Sequence, residues 1–295
     1  MAMNWILIAL IGPLLWGIGR VLNKFIRTKH IDCSISYATI ASLVGMFSLL
    51  VIPFYGFEMP SLFIILLCLF VGVLHYFAFL LFVKALTLEE VSRIIPLFRF
   101  VAIFVLILSA IFLNEKLNAN SYIAFLLLVI GGFIISIKKI EGMFRLSKAF
   151  YFVMLASFFY AVGGVILKYV SYTTDFTTFF VIDRMGVFLT ALIMIFIFYG
   201  KFKRSISLLS FRSLSLITLT EVFGVTGVLT AYYAISLASV SLVNAIESFH
   251  PVFIFIFATF VSFKYPHIIK EDLNWKVLLT KSIAIFIMIF GLFLL

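Results

Sequence analysis

The stretch Ala234–Lys264, AISLASVSLVNAIESFHPVFIFIFATFVSFK, is long and apolar enough to cross a bilayer, yet its first half holds Asn244, Glu247, Ser248, His250 and Pro251. A spanning helix needs about 20 apolar residues, and a charged side chain at its centre costs roughly 2.5–3.5 kcal/mol on insertion scales. Polar groups placed there need a reason. Helical spacing sets Ser241, Asn244, Ser248 and Pro251 along one stripe, with Glu247 beside it. The same design occurs earlier in the chain. Ala85–Glu115 superposes on this stretch at a shift of 149, with Ala85-Leu86 on Ala234-Ile235, Val91-Ser92 on Val240-Ser241, and Phe100 on Phe249.

Working outward, the whole chain has this character. Of its 295 residues 65% are hydrophobic and 12% charged, with a mean hydropathy of +1.27; a soluble domain carries about 25% charged residues. Apolar runs predict ten spans, roughly 4–25, 34–53, 62–86, 91–113, 120–137, 149–168, 176–199, 213–236, 240–263 and 276–295. The expected fold is therefore an all-α integral membrane protein. The net charge of +10 does not imply nucleic acid, because the basic residues sit in loops. Lys24, Arg27 and Lys29 follow the first span, and Lys138, Lys139, Arg145 and Lys148 join the fifth to the sixth. Lys201, Lys203, Arg204 and Arg212 join the seventh to the eighth, and Lys264, Lys270 and Lys276 join the ninth to the tenth. All these loops share one side, whereas the opposite side carries only Lys116 and Lys168. The positive-inside rule makes the basic side cytoplasmic and turns both termini outward. Cys33 and Cys68 suit neither a disulfide framework nor a metal site. The segment Met1–Trp5 has no basic flank, so the first span reads as retained rather than as a signal peptide.

The repeat extends beyond the opening stretch. Trp16–Phe25 matches Tyr160–Tyr169 at a shift of 144, aligning Gly19 with Gly163 and Lys24 with Lys168. Gly132 and its apolar run fall on Gly291 at a shift of 159. Residues 1–138 and 149–295 are then two five-helix repeats joined by a basic loop, 139–148. Five is odd, so the halves enter the bilayer in opposite senses. Inverted repeats of this kind place a site near the midplane, at the interface between the halves.

The pattern Trp16-Gly17…Lys24, the short turn at Thr87–Val91, Asn114-Glu115 ending the fourth span, Pro251 in the ninth and Arg184 in the seventh together resemble the drug/metabolite transporter superfamily, of the EamA type. The resemblance covers nearly the whole chain as two tandem units. It implies a ten-helix inner-membrane carrier that moves small metabolites by alternating access. The chain departs from the family in three places. Its basic bias suggests a flipped insertion, Ala102 stands where a proline is expected, and the ninth span ends in Phe263-Lys264.

Several residues are candidates for chemistry. Glu247 is expected to face a central cavity, as a protonatable group or a counter-charge to a cationic substrate, with Asn244, Ser248 and His250 nearby; a structural pair with Arg20, Arg99 or Arg184 is the alternative. Arg99 lies in the fourth span where the repeat places Glu247 in the ninth, and shares a stripe with Ser92 and Pro96. Pro96 and Pro251 either free backbone carbonyls for a substrate or act as packing kinks. Asp183 and Arg184 point about 100° apart on a helix, so one is expected to reach another helix. Arg20 lies deep enough to bind an anionic group, whereas Lys24 and Lys84 are placed to snorkel. His75 is expected to make an interhelical hydrogen bond, and Glu221 is a single polar residue in the eighth span. The 38 Phe residues are read as lipid-facing packing, and glycines such as Gly12, Gly17, Gly163 and Gly227 as points of close helix approach.

No HExxH, CxxC, phosphate-cradling or nucleophile-elbow motif is present. The function expected is secondary transport of a small organic metabolite, such as an amino acid or amine, with proton coupling left open. Two alternatives stand beside it: a flippase for a lipid-linked substrate on the same fold, and a membrane-embedded enzyme, which a cluster of Glu221, Glu247, His75 and His250 at one depth would favour. The partners expected are a small-molecule substrate and the lipid bilayer, with no nucleic acid, no cofactor and no metal; a homodimer is left open.

Overall fold

The computed structural model describes residues 2–27, 33–51, 57–88, 97–98, 100–136, 148–207, 209–250, 252–254, 256–257 and 275–294. The described residues form eleven α-helices. They are α1 (Ala2–Arg27), α2 (Ser34–Val44), α3 (Leu62–Leu88), α4 (Phe100–Phe112), α5 (Ala119–Ser136), α6 (Lys148–Val170), α7 (Phe176–Ile197), α8 (Tyr199–Ser207), α9 (Phe211–Leu237), α10 (Val240–Ile246) and α11 (Trp275–Phe293). Four of them, α3, α6, α7 and α9, are long and apolar enough to cross a membrane, and six further apolar helical runs are shorter.

Three expectations about the spans are corrected. The eleventh helix is α8, YGKFKRSIS, which the sequence suggests as a basic loop. It is too short and too polar to span, so an apolar-run search passes over it. The second span is α-helical only to Val44 and tightens into a 3-10 helix over Gly45–Val51. The ninth does the same: α10 ends at Ile246 and a 3-10 turn covers Glu247–Phe249. An i to i+3 step inside an apolar run leaves no trace in composition.

The ends of the helices follow from local chemistry. Asn114, at φ 51°, turns the chain left-handed just beyond α4, a conformation Asn tolerates better than most residues. Asn118 then accepts from Ser121 N at 2.7 Å and starts α5. Ser210 and Ser239 cap α9 and α10 by accepting from Ser213 N and Leu242 N.

Packing sets α3 against two other long helices. It lies between α6 and α7, while α1 runs along α9, α5 pairs with α11, and α4 leans on α6 and α10. The other face of α3 exposes Phe63, Leu66 and Phe70, and a helix so set between protein and lipid is apolar all round. Where α3 crosses α7 the backbones nearly touch. A Cβ on Gly72 would stand 2.4 Å from the Asp183 carbonyl oxygen, and one on Gly186 2.5 Å from that of Leu69. The outward faces keep large apolar residues in the open, among them Phe196, Phe211 and Phe293 at 84–86% exposure. Apolar surface on this scale is stable against lipid, not water.

Candidate functional site: a polar cavity in the middle of the bundle

The helices diverge around a cavity of about 320 Å³, a size typical of small-molecule sites. Its walls come from the middle turns of α1, α3, α6 and α9, with α2, α4, α7, α10 and the turn at Glu247 closing the rest. Aromatic faces dominate: Trp16, Tyr76, Phe79, Phe82, Tyr160 and Tyr232 all contribute.

One wall is ionic. Asp183 is completely buried, which is tolerable for a carboxylate only if every oxygen is satisfied. His75 Nδ1 lies 2.9 Å from its Oδ1. Arg184 donates to Oδ2 from Nε at 2.9 Å and from Nη2 at 2.6 Å, and the Tyr232 hydroxyl donates to the same oxygen at 2.9 Å. A carboxylate beside a guanidinium can only accept, so His75 donates to it from Nδ1. Nε2 faces α6 at Gly163, where a Cβ would come within 2.6 Å of it. The Tyr160 ring lies against the same imidazole, centroids 5.5 Å apart. Thus α3, α7 and α9 are tied through one carboxylate, and the arrangement presents Arg184 and His75 to the cavity.

The opposite wall is built by α1. The Trp16 indole donates from Nε1 to the Gly224 carbonyl at 3.1 Å and fills the space over Gly227, where a Cβ would stand 2.5 Å from that nitrogen. His250 meets Trp16 edge-on at 6.3 Å.

The structure gathers several of the expected residues. Glu247, Asn244, Ser248, His250 and Arg184 line this cavity, as do Glu221 and His75. His75 makes the interhelical bond expected of it. Asp183 reaches other helices, as expected of one of the two charges, but it also pairs with Arg184, against the expectation that adjacent residues would not easily neutralise each other. The 100° between their Cα–Cβ directions is overcome by the length of the arginine, which curls back while Asp183 also reaches α3. Asn244 donates from Nδ2 to its own helix at Val240 O. Ser241 leaves the expected stripe and bonds toward Ser109 and Glu115. Ser92, Pro96, Arg99 and Pro251, and the Arg20 side chain, lie outside the described residues. Tyr160 and Tyr232 carry no mark in the sequence; each is one of twelve tyrosines, and only the packing of three helices singles them out. Among the described residues no three His, Cys, Asp or Glu side chains are placed to hold a metal ion.

An apolar-jacketed helix bundle around a polar, aromatic-lined cavity is the build of an integral, multi-pass membrane protein. Residues 3–137 match the EamA-like transporter family, which is part of the drug/metabolite transporter superfamily. Members of this family are transporters rather than enzymes. The fold is also that of a protein of known crystal structure, at a TM-score of 0.73 over 98% of this chain and 95% of the other, with 12% identity. Among curated proteins none matches.

Proposed function

We propose that the protein is a secondary carrier moving a small organic metabolite by alternating access, built as two inverted five-helix repeats that occupy residues 1–138 and 149–295. The observation that carries this reading is the cavity: it lies at the middle of the helices and takes its ionisable lining, His75, Arg184, Glu221 and Glu247, from both halves.

The packing supports the repeat. Exchanging the halves converts α1 into α6, α2 into α7, α3 into α9, α4 into α10 and α5 into α11. The contact of α1 with α9 then becomes that of α6 with α3, and both are among the most extensive in the bundle. The contacts α2–α7, α4–α10 and α5–α11 map onto themselves, as elements beside a twofold axis must. The substrate belongs to a class that fills an aromatic-lined space and offers polar groups to its acid and imidazole lining, such as an amino acid or amine. The basic loops face the cytoplasm and the termini face out, in the inner or plasma membrane.

The test is counterflow in proteoliposomes with amino acids, amines, nucleotide-like metabolites and lipid phosphates. Saturable uptake of a solute recovered chemically unchanged is expected. Glu247→Gln should lower its rate about a hundredfold, the low end of the range assigned to a positioned proton-transferring group, and flatten its pH dependence. A folded protein that moves none of these solutes sinks the reading. An unchanged pH dependence in Glu247→Gln removes Glu247 as the coupling group. That Glu221, Glu247, His75 and His250 share one cavity is the observation that favours an enzyme instead, and recovery of an altered solute would select it.

A further inference from the structure

Beyond the central cavity, a buried lysine and a half-buried glutamate converge on the joint between α9 and α10. The chain passes from one helix to the other through Ala238 and Ser239, both outside helical geometry. Lys168, near the end of α6, is only 7% exposed and donates from Nζ to Ile235 O at 2.8 Å and to Ala238 O at 2.7 Å. These are carbonyls that the end of α9 leaves without a helical partner. Glu115, just past α4, accepts from Val240 N at 3.0 Å and Ser241 N at 3.4 Å, the first donors of α10, and from Ser241 Oγ at 2.5 Å. Ser109 of α4 joins the same group, its Oγ 2.7 Å from that of Ser241. A cation at a helix carboxyl end and an anion at a helix amino end are each favoured by the helix dipoles.

Every one of these bonds runs between the pair α4/α6 and the pair α9/α10. They also lie at one end of the cavity, since Leu167 and Ile235 line it and adjoin or belong to the bonded groups. The geometry points to a latch: Glu115 and Lys168 hold that end of the cavity shut, and releasing them opens it. This rests on the transport reading. In the repeat, Lys168 corresponds to Lys24 and Glu115 to Lys264. In sequence the corresponding positions thus hold two lysines where this end has a cation and an anion.

Accessibility tests this without a substrate. In a Cys33→Ser, Cys68→Ala background, Leu167→Cys reports the latched end, and Tyr172→Cys, at an exposed position just past α6, reports which side the reagent reaches. A membrane-impermeant thiol reagent is added to vesicles from the side that labels Tyr172→Cys. Labelling of Leu167→Cys is expected to be slow in the parent and roughly tenfold faster with Glu115→Gln or Lys168→Met, the factor set by losing one charge-assisted hydrogen bond. Tyr172→Cys should not change. If Lys168→Met does not fold, Glu115→Gln decides. Equal rates in all backgrounds, or a rise shared by Tyr172→Cys, mean that the two residues are static caps and overturn the latch. A latch seen in a protein that moves no solute would instead sink the transport reading.

Discussion

The crossing of α5 with α11 and the ionic wall at Asp183 belong to one bundle and are built by opposite rules. At the crossing, both halves do the same thing. A Cβ on Gly131 would meet Met288 at 2.3 Å and the Ala284 carbonyl at 3.1 Å, and one on Gly291 would meet Leu127 at 3.0 Å, the Ala124 carbonyl at 3.3 Å and Leu128 at 3.5 Å. A single shift of 160 relates 131 to 291, 124 to 284 and 128 to 288. Gly131, one residue from the glycine that sequence alignment suggests, is thus the partner of Gly291. At the centre the halves part company. Trp16 and Tyr160 correspond, but Trp16 donates to the backbone of Gly224 whereas Tyr160 lies on the imidazole of His75. The positions they touch, 75 and 224, correspond as well at the shift of 149. In the proposed repeat, shared packing builds the frame, and divergence at matched positions gives the cavity its chemistry.

The largest effect is expected where that divergence buries a charge. Asp183→Ala leaves Arg184 and His75 without their acceptor, and breaking a buried ion pair from one side costs about 3–5 kcal/mol. Loss of monodisperse protein on size-exclusion chromatography is the expected result. A variant that melts with the parent would show that the ionic wall is not part of what holds α3, α7 and α9 together.

Much of this frame is legible in the sequence, and the reason is lipid. A span must be apolar over its full length, so 62–86, 149–168, 176–199 and 213–236 emerge within about two residues of α3, α6, α7 and α9. The same uniformity hides the rest. When every position is Leu, Ile or Phe, periodicity has nothing to modulate, and the tightening at Gly45 and Glu247 leaves no signal. At the site, rarity was the guide. Glu247, Arg184, Asp183 and His75 stand out because hydrocarbon penalises them, whereas Tyr232, which completes the Asp183 shell, looks like any interfacial tyrosine. Lys168 shows the limit from the other side: placed near a helix end it reads as a surface lysine, yet carbonyls from another helix make it a buried one.

The crossing offers a second, smaller test. Gly131→Ala and Gly291→Ala each force α5 from α11, and overpacking of this kind costs typically 1–3 kcal/mol. Both should lower the melting temperature, Gly131→Ala by more, since its Cβ meets the buried Met288 chain at 2.3 Å against 3.0 Å at Leu127. A loss at one site only would break the equivalence of the two halves at their most regular contact.

The smallest effect on stability should come from Trp16→Phe. A phenyl ring keeps most of the filling over Gly227 and gives up one neutral hydrogen bond, about 0.5–1.5 kcal/mol. The cost falls at the low end, because Gly224 lies within α9 and its carbonyl retains the helical position in which a backbone donor serves it. Trp16 is nevertheless a wall of the cavity. Melting should therefore stay within a few degrees of the parent while the apparent affinity for a transported solute changes several-fold. If affinity and melting both stay put, Trp16 is packing alone, and the contrast between the indole at 16 and the phenol at 160 has no bearing on what the cavity holds.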